Sequence, residues 1–402
     1  MPKTTAEQMR LWNGPAVLSF GFRPFFLLGA LWAALAMAIW VSMLAGGLAL
    51  PSRFDPVSWH AHEFLFGYLS AIIAGFLLTA VPNWTGRLPV LGWRLAALVA
   101  LWIAGRLAIV FSEFMPAFLV ALVDVMFAIA LGLLIAREIV ASRDWRNLIV
   151  LAMLTVFTLA NLLFHMEAGQ GATAAQGIGL RLGLAAVLMM ISVIGGRIVP
   201  SFTRNWLVKS GHDARPVPPM QAFDKLVLLI TLAGLALWVV RPDWPVTGLL
   251  LLLLATFQTV RLVRWKGLNT LSEPLVWVLH LGYGLVPLGA LFVAVDILLP
   301  GFLGLAASQH VWMAGATGLM TLAVMTRATL GHTGQALHAG SATLAIYLAL
   351  IASVCVRLAA GLLPDIAMIF YSLSALLWMG AFGGFVIAYG GLLLRPKPGM
   401  SS

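Results

Sequence analysis

Three histidines raise the first chemical question. His60 and His62 sit in Trp59-His60-Ala61-His62-Glu63, at the mouth of a long apolar run reaching Pro82, and His310 begins a later run that ends near Arg327. Imidazoles at bilayer depth are expensive and mark function more often than packing. Neutral imidazole is also the commonest side-chain ligand of transition metals and an axial ligand of haem iron. Histidines at matching depth on separate spans therefore point to a metal or haem site inside a membrane. Residues two apart on a helix face about 200° away from each other, so His60 and His62 cannot both ligate one metal from a regular helix. Glu63, next to His62, can orient an imidazole, bind a metal or carry protons. Its plainer role is to compensate the positive end of a helix.

The elements that must position these groups are set by composition. Of 402 residues, 61% are hydrophobic and only 9% charged, with a mean hydropathy of +1.00. A soluble domain carries about 25% charged residues, so the chain reads as an all-α polytopic membrane protein. The single cysteine, Cys355, excludes a disulfide framework, an iron–sulfur cluster and a c-type haem attachment motif. Residues 1–13 lack the basic, apolar, small-residue order of a cleaved signal peptide, and the first apolar run is expected to be a retained span. The net charge of +10 implies no nucleic-acid partner, because topology accounts for it.

Runs of about 20 apolar residues between polar or Pro/Gly-rich breaks give twelve spans, 23–46, 60–82, 91–111, 116–137, 147–166, 177–199, 222–241, 245–264, 273–298, 304–327, 342–361 and 366–392. With both termini inside, the inner segments collect Lys3, Arg10, Arg23, Arg87, Arg94, Arg137, Arg143, Arg146, Arg197, Arg204, Lys209, Arg215, Arg261, Arg264, Lys266, Arg327, Arg395 and Lys397. The outer side has only Arg53, Arg181, Arg241 and Arg357. The positive-inside rule places the loaded side in the cytoplasm. His60, His62, His165 and His310 then cluster toward the outer face.

The chain reads as one integral membrane domain, 1–402, with an internal repeat. The second, sixth and tenth spans each leave the membrane through a basic, Thr/Gly-containing corner, at 79–87, 195–205 and 325–334. Pro82 to Pro200 is 118 residues and Pro200 to Ala328 is 128. The spans thus divide into three pseudo-repeats of four, at approximately 1–146, 147–271 and 272–402.

Several of these segments carry a family resemblance. Gly21-Phe22-Arg23-Pro24-Phe25-Phe26, the Trp59–Glu63 motif continuing to Gly67-Tyr68, Val81–Arg87, Gly196–Asn205 and Arg327–Gly334 resemble the NnrS family over essentially the whole chain. The resemblance implies a bacterial inner-membrane protein that contains haem and copper and protects against nitric oxide. The three-by-four arrangement is more loosely similar to the catalytic subunit of haem-copper oxidases and nitric oxide reductases, where histidines of the second and tenth spans hold a haem. That analogy assigns a b-type haem to His62 and His310, held without thioether links. The sixth and seventh spans lack histidine, so the usual three-histidine copper site is absent. A further metal, copper or a second haem, would use His60 and His165 with Glu63. Arg53 and Arg181, scarce on the outer side, are candidates for haem propionates, with Arg23 and Arg87 weaker ones. Asp124 and Asn161 lie within spans as candidate proton or substrate contacts, although Asp124 can instead pair with Arg106 across its hairpin. Met166 is the one methionine considered as a copper ligand.

Two functions compete. In one, the protein binds nitric oxide and reduces it to nitrous oxide with electrons from quinol or another membrane donor, Glu63 supplying protons. In the other it transports a metal or nitrosyl-iron species, or binds nitric oxide without turnover.

Overall fold

The computed structural model describes residues 12–87 and 89–396; Lys3, Arg10 and Lys397 of the inner charge bias lie outside them. Among the described residues there is no strand, and twelve long helices follow one another as the hydropathy pattern predicts. They are α1 (Phe22–Leu44), α2 (Pro56–Thr85), α3 (Trp93–Val110), α4 (Ala117–Ser142), α5 (Trp145–Gly169), α6 (Ile178–Lys209), α7 (Ala222–Val240), α8 (Pro245–Val263), α9 (Pro274–Leu298), α10 (305–333), α11 (Ser341–Leu362) and α12 (Pro364–Leu394). Helices dominate because lipid offers no partner for a free peptide group, which must therefore bond within its own segment.

Eleven of the twelve are long and apolar enough to cross a membrane, which makes this a multi-pass membrane protein. The exception is α10, whose length is sufficient but whose apolar character is diluted by His310, Arg327, His332 and five threonines. Starts follow local chemistry. Asp55 accepts from the backbone N–H groups of Val57 and Ser58 while Pro56 opens α2, and Glu273 caps α9 ahead of Pro274 in the same way.

Three helices contain a π-helical stretch, Glu63–Tyr68 in α2, Ile191–Gly195 in α6 and Val311–Ala316 in α10. These are the same three helices whose inner corners resemble one another. In α2 and α10 the stretch begins directly after a histidine, His62 or His310, and a glycine lies five residues further on. A π turn leaves a carbonyl without its usual helical partner and recurs at functional sites. In α2 the Gly67 carbonyl accepts from Trp102 Nε1 and Ser70 Oγ, each at 2.9 Å.

The chain forms two compact units. The first comprises the described parts of 1–183, 328–336 and 382–402, and the second comprises 184–327 and 337–381. In the first, α1 packs on α2, α3 on α4, and α4 on both α2 and α5. Arg23, buried at the start of α1, donates from Nη1 to the carbonyls of Leu392, Leu393 and Arg395 at 3.2, 3.0 and 2.7 Å. It therefore closes the last turn of α12. In the second unit, α8 packs on α7 and α9, and α10 on α9 and α11.

The second unit has its own buried polar network. Arg261 donates from Nε to Asp224 Oδ1 at 2.8 Å and from Nη1 to the Ser192 carbonyl and Tyr283 Oη, both at 2.9 Å. Tyr283 donates from its hydroxyl to Gln258 Oε1, and Gln258 donates from Nε2 to Ser192 Oγ and Thr231 Oγ1. One carboxylate balances one guanidinium there.

Candidate metal centre

The first unit gathers titratable side chains from four helices at one end. His62 and Glu63 lie early in α2, Arg106 late in α3, Asp124 early in α4, and Asn161 and His165 late in α5. All six are buried, His62 and Glu63 completely. Neighbouring helices run in alternating directions, so residues early in one and late in the next share an end. Charge bias makes that end the outer one.

His62 has oxygen at both ring nitrogens. Nδ1 lies 3.0 Å from Glu63 Oε1, while Nε2 lies 3.1 Å from both Asn161 Oδ1 and Asp124 Oδ2. His165 Nε2 lies 3.1 Å from the same Asp124 Oδ2, and Asn161 Nδ2 donates to it at 2.7 Å. Arg106 joins the two carboxylates, with Nη1 3.2 Å from Glu63 Oε2 and Nη2 paired with Asp124 Oδ1. Trp32 Nε1 donates to Glu63 Oε2 at 2.7 Å. The expected pairing of Asp124 with Arg106 is present, and it serves this cluster.

One donor atom each from His62, Asp124 and His165 falls within 4.8 Å of the others, close enough to surround one metal ion. Two imidazoles and a carboxylate suit a first-row transition metal, and a Glu behind one imidazole is the usual outer-shell arrangement. Proton accounting supports the fit. The Nδ1 proton of His62 is committed to Glu63, so Nε2 would face two oxygen acceptors with a lone pair unless it carried a cation. That cation is either a second proton or a metal ion.

Close approach depends on glycine. A Cβ on Gly67 would strike Arg106 Nη1 and lie 2.8 Å from Glu63 Oε2, and one on Gly105 would lie 2.8 Å from Asp124 Oδ1. Phe54, Phe66 and Phe164 ring the imidazole of His62 at centroid distances of 5.4 to 5.5 Å, and Phe54 also packs on His165.

The other expected residues lie elsewhere. His60 points away from His62, as helix geometry requires, and stacks on Trp40 at 3.9 Å, with the Phe64 ring 4.6 Å from it. The structure thus joins His165 to His62 and not to His60. His310 belongs to the second unit, and its Nδ1 bonds the Ala306 carbonyl of its own helix at 2.5 Å. Arg53 Nε donates to the Ser112 carbonyl at 2.8 Å, and Arg181 Nη1 to the Gln176 carbonyl at 2.6 Å. Arg87 pairs with Glu138 at 2.5 Å. Met166 is 53% exposed and turned away from the cluster. Of the remaining histidines, His280 is buried with Nε2 2.7 Å from Thr203 Oγ1, His332 packs against Phe20 and Phe22, and His338 pairs with Glu273 at 2.8 Å.

Beyond its geometry, the chain matches the NnrS protein family over residues 16–397. It belongs to that family. Membership gives this NnrS protein a role in the response to nitric oxide and points to haem and metal binding. No curated protein and no solved structure matches the chain.

Proposed function

We propose that this NnrS protein binds nitric oxide at a metal ion held by His62, Asp124 and His165, and reduces it to nitrous oxide. The carrying observation is the convergence of these three donors, buried among aromatic rings and backed by Glu63 and Arg106. A metal ion held by these three side chains, such as the family's copper, would supply a Lewis-acid and redox centre able to bind the gas. The chain's own residues do the rest. Glu63 fixes His62 with Nε2 toward the ion, Arg106 holds both carboxylates in place, and the phenylalanines keep bulk water out. Nitric oxide is neutral and partitions into lipid, so it needs no charged channel.

The reaction joins two nitric oxide molecules with two electrons and two protons to give nitrous oxide and water. Quinol or another membrane donor would supply the electrons, and a bacterial inner membrane is the proposed location. His310, which precedes its π stretch as His62 precedes its own, is the proposed haem ligand in the second unit. The haem would be b-type, since Cys355 is the sole cysteine.

The test is full-length protein in liposomes supplied with reduced quinone and nitric oxide. Nitrous oxide formation that disappears in His165→Ala is the expected result. Gas binding without nitrous oxide would reduce the reading to a nitric oxide-binding protein.

A further inference from the structure

At the inner end of the first unit a cavity of about 450 Å³ opens between three helices. Trp84 and Thr85 line it from the end of α2, Ser142 and Arg143 from the end of α4, and Asp144, Trp145 and Arg146 from the turn into α5. We infer that it holds the headgroup of an anionic phospholipid of the inner leaflet, a phosphodiester bearing an uncharged glycerol. The inference is independent of the metal centre, which lies at the opposite end of the same helices.

The first argument is charge. The lining contains two guanidiniums and one carboxylate. Asp144 is already engaged through both oxygens, accepting from Arg146 Nε at 3.1 Å and from Asn147 Nδ2 at 3.0 Å. Among the described residues Arg143 forms no ion pair, whereas Arg146 has Asp144, and Arg87 and Arg137 share Glu138. One positive charge is therefore left over in the cavity, and a phosphodiester brings one negative charge. The planar fork of arginine offers two N–H groups to two phosphate oxygens. A zwitterionic headgroup would bring an ammonium group as well, for which the lining keeps no uncommitted carboxylate.

The second argument is position. Basic recesses between helices on the cytoplasmic side are where anionic headgroups bind. Trp84 and Trp145 are 37% and 55% exposed, and tryptophan collects at headgroup level. Val140, Leu148 and Ile149, each within five residues of Trp145, are exposed too and give acyl chains an apolar margin. A soluble phosphate would use the charge and leave that margin bare. Thr85 Oγ1 and Ser142 Oγ donate to the carbonyls of Val81 and Ile139, so their lone pairs suit the hydroxyls of a glycerol headgroup.

Arg143 closes α4 at φ 57°, in the left-handed region where glycine is the usual residue. Arg143→Gly thus removes the charge while easing the backbone, and it should fold.

The experiment is native mass spectrometry of full-length protein released from mixed micelles with equal amounts of phosphatidylglycerol and phosphatidylcholine. The wild type should retain one phosphatidylglycerol in preference by about fivefold or more, the scale of one basic residue acting on an anionic lipid. Arg143→Gly should lose that preference, and Arg143→Lys should keep most of it. Arg204→Gln, which removes an exposed inner arginine of the second unit, should leave it unchanged. Equal retention of the two lipids by the wild type would overturn the inference. So would an equal loss in Arg204→Gln, which would show general attraction to the inner face. Binding of free glycerol 3-phosphate that phosphatidylglycerol does not displace would assign the cavity to a soluble phosphate and overturn the lipid reading. If Arg143→Gly does not fold, the wild-type preference and the Arg204→Gln comparison decide the question.

Discussion

The Nδ1 atom of His62 lies 3.0 Å from Oε1 of Glu63, the very next residue in the chain. Neighbours on a regular helix point about 100° apart and seldom touch through their side chains. Here the π stretch begins at Glu63, and the pair meets. Glu63 also receives Trp32 and Arg106 on its other oxygen, so its acceptor positions are taken up by holding the cluster together.

Glu63→Gln therefore tests whether this carboxylate orients His62 or delivers protons. The amide keeps the shape but removes the charge that Arg106 and His62 face. Metal affinity should fall by about 10–100-fold, the usual effect of losing an outer-shell partner. Equilibrium dialysis against a metal buffer measures it. Unchanged affinity with slower nitric oxide consumption would return Glu63 to a proton-delivery role.

The histidines divide into separable groups. His165→Ala should abolish the metal centre while leaving the haem spectrum intact, and His310→Ala should do the reverse. His60→Ala should change neither, because its ring is stacked on Trp40. Metal analysis and optical spectra on the same preparations distinguish these outcomes. Loss of the haem signal in His62→Ala would restore the bis-histidine arrangement that the looser oxidase resemblance implies.

Much of this was legible in the sequence, and the reason is physical. Span positions follow from hydropathy, because lipid penalises any polar stretch regardless of tertiary detail. Expected limits such as 245–264 and 273–298 fall within a residue of α8 and α9. The divergence of His60 and His62 and the pairing of Arg106 with Asp124 followed from helix geometry and a short hairpin. The partner of His165 did not. It depends on the rotation of α5 about its axis and on the π stretch in α2, neither of which hydropathy encodes. Asp124 and Asn161 stood out as polar residues within spans, but nothing in the chain showed that they face the same imidazole as His165.

Gly67 should be the most sensitive small residue of the site. A Cβ there would collide with Arg106 Nη1 and crowd Glu63 Oε2. Gly67→Ala should destabilise the protein by about 1–3 kcal/mol, the range for forced overpacking, and weaken metal binding with it. Gly380→Ala is the control, since nothing lies within 4 Å of its added carbon. Thermal unfolding in detergent compares the two. Equal melting temperatures would show that Arg106 can move aside.

Arg23 separates a structural role from a cofactor role. Its Nη1 donates to three carbonyls in the last turn of α12, where helical acceptors lack partners. A guanidinium also suits the negative end of that helix. Arg23→Met leaves those carbonyls without their charged donor and should cost about 1.5–3 kcal/mol, the range for hydrogen bonds to charged groups. Arg23→Lys keeps the charge but not the planar fork, so it should fall between wild type and Arg23→Met in melting temperature. Haem spectrum, redox potential and metal content should be unchanged in both variants, because each nitrogen contact described for Arg23 goes to backbone. A shift in haem potential without a loss of stability would make Arg23 a propionate partner instead.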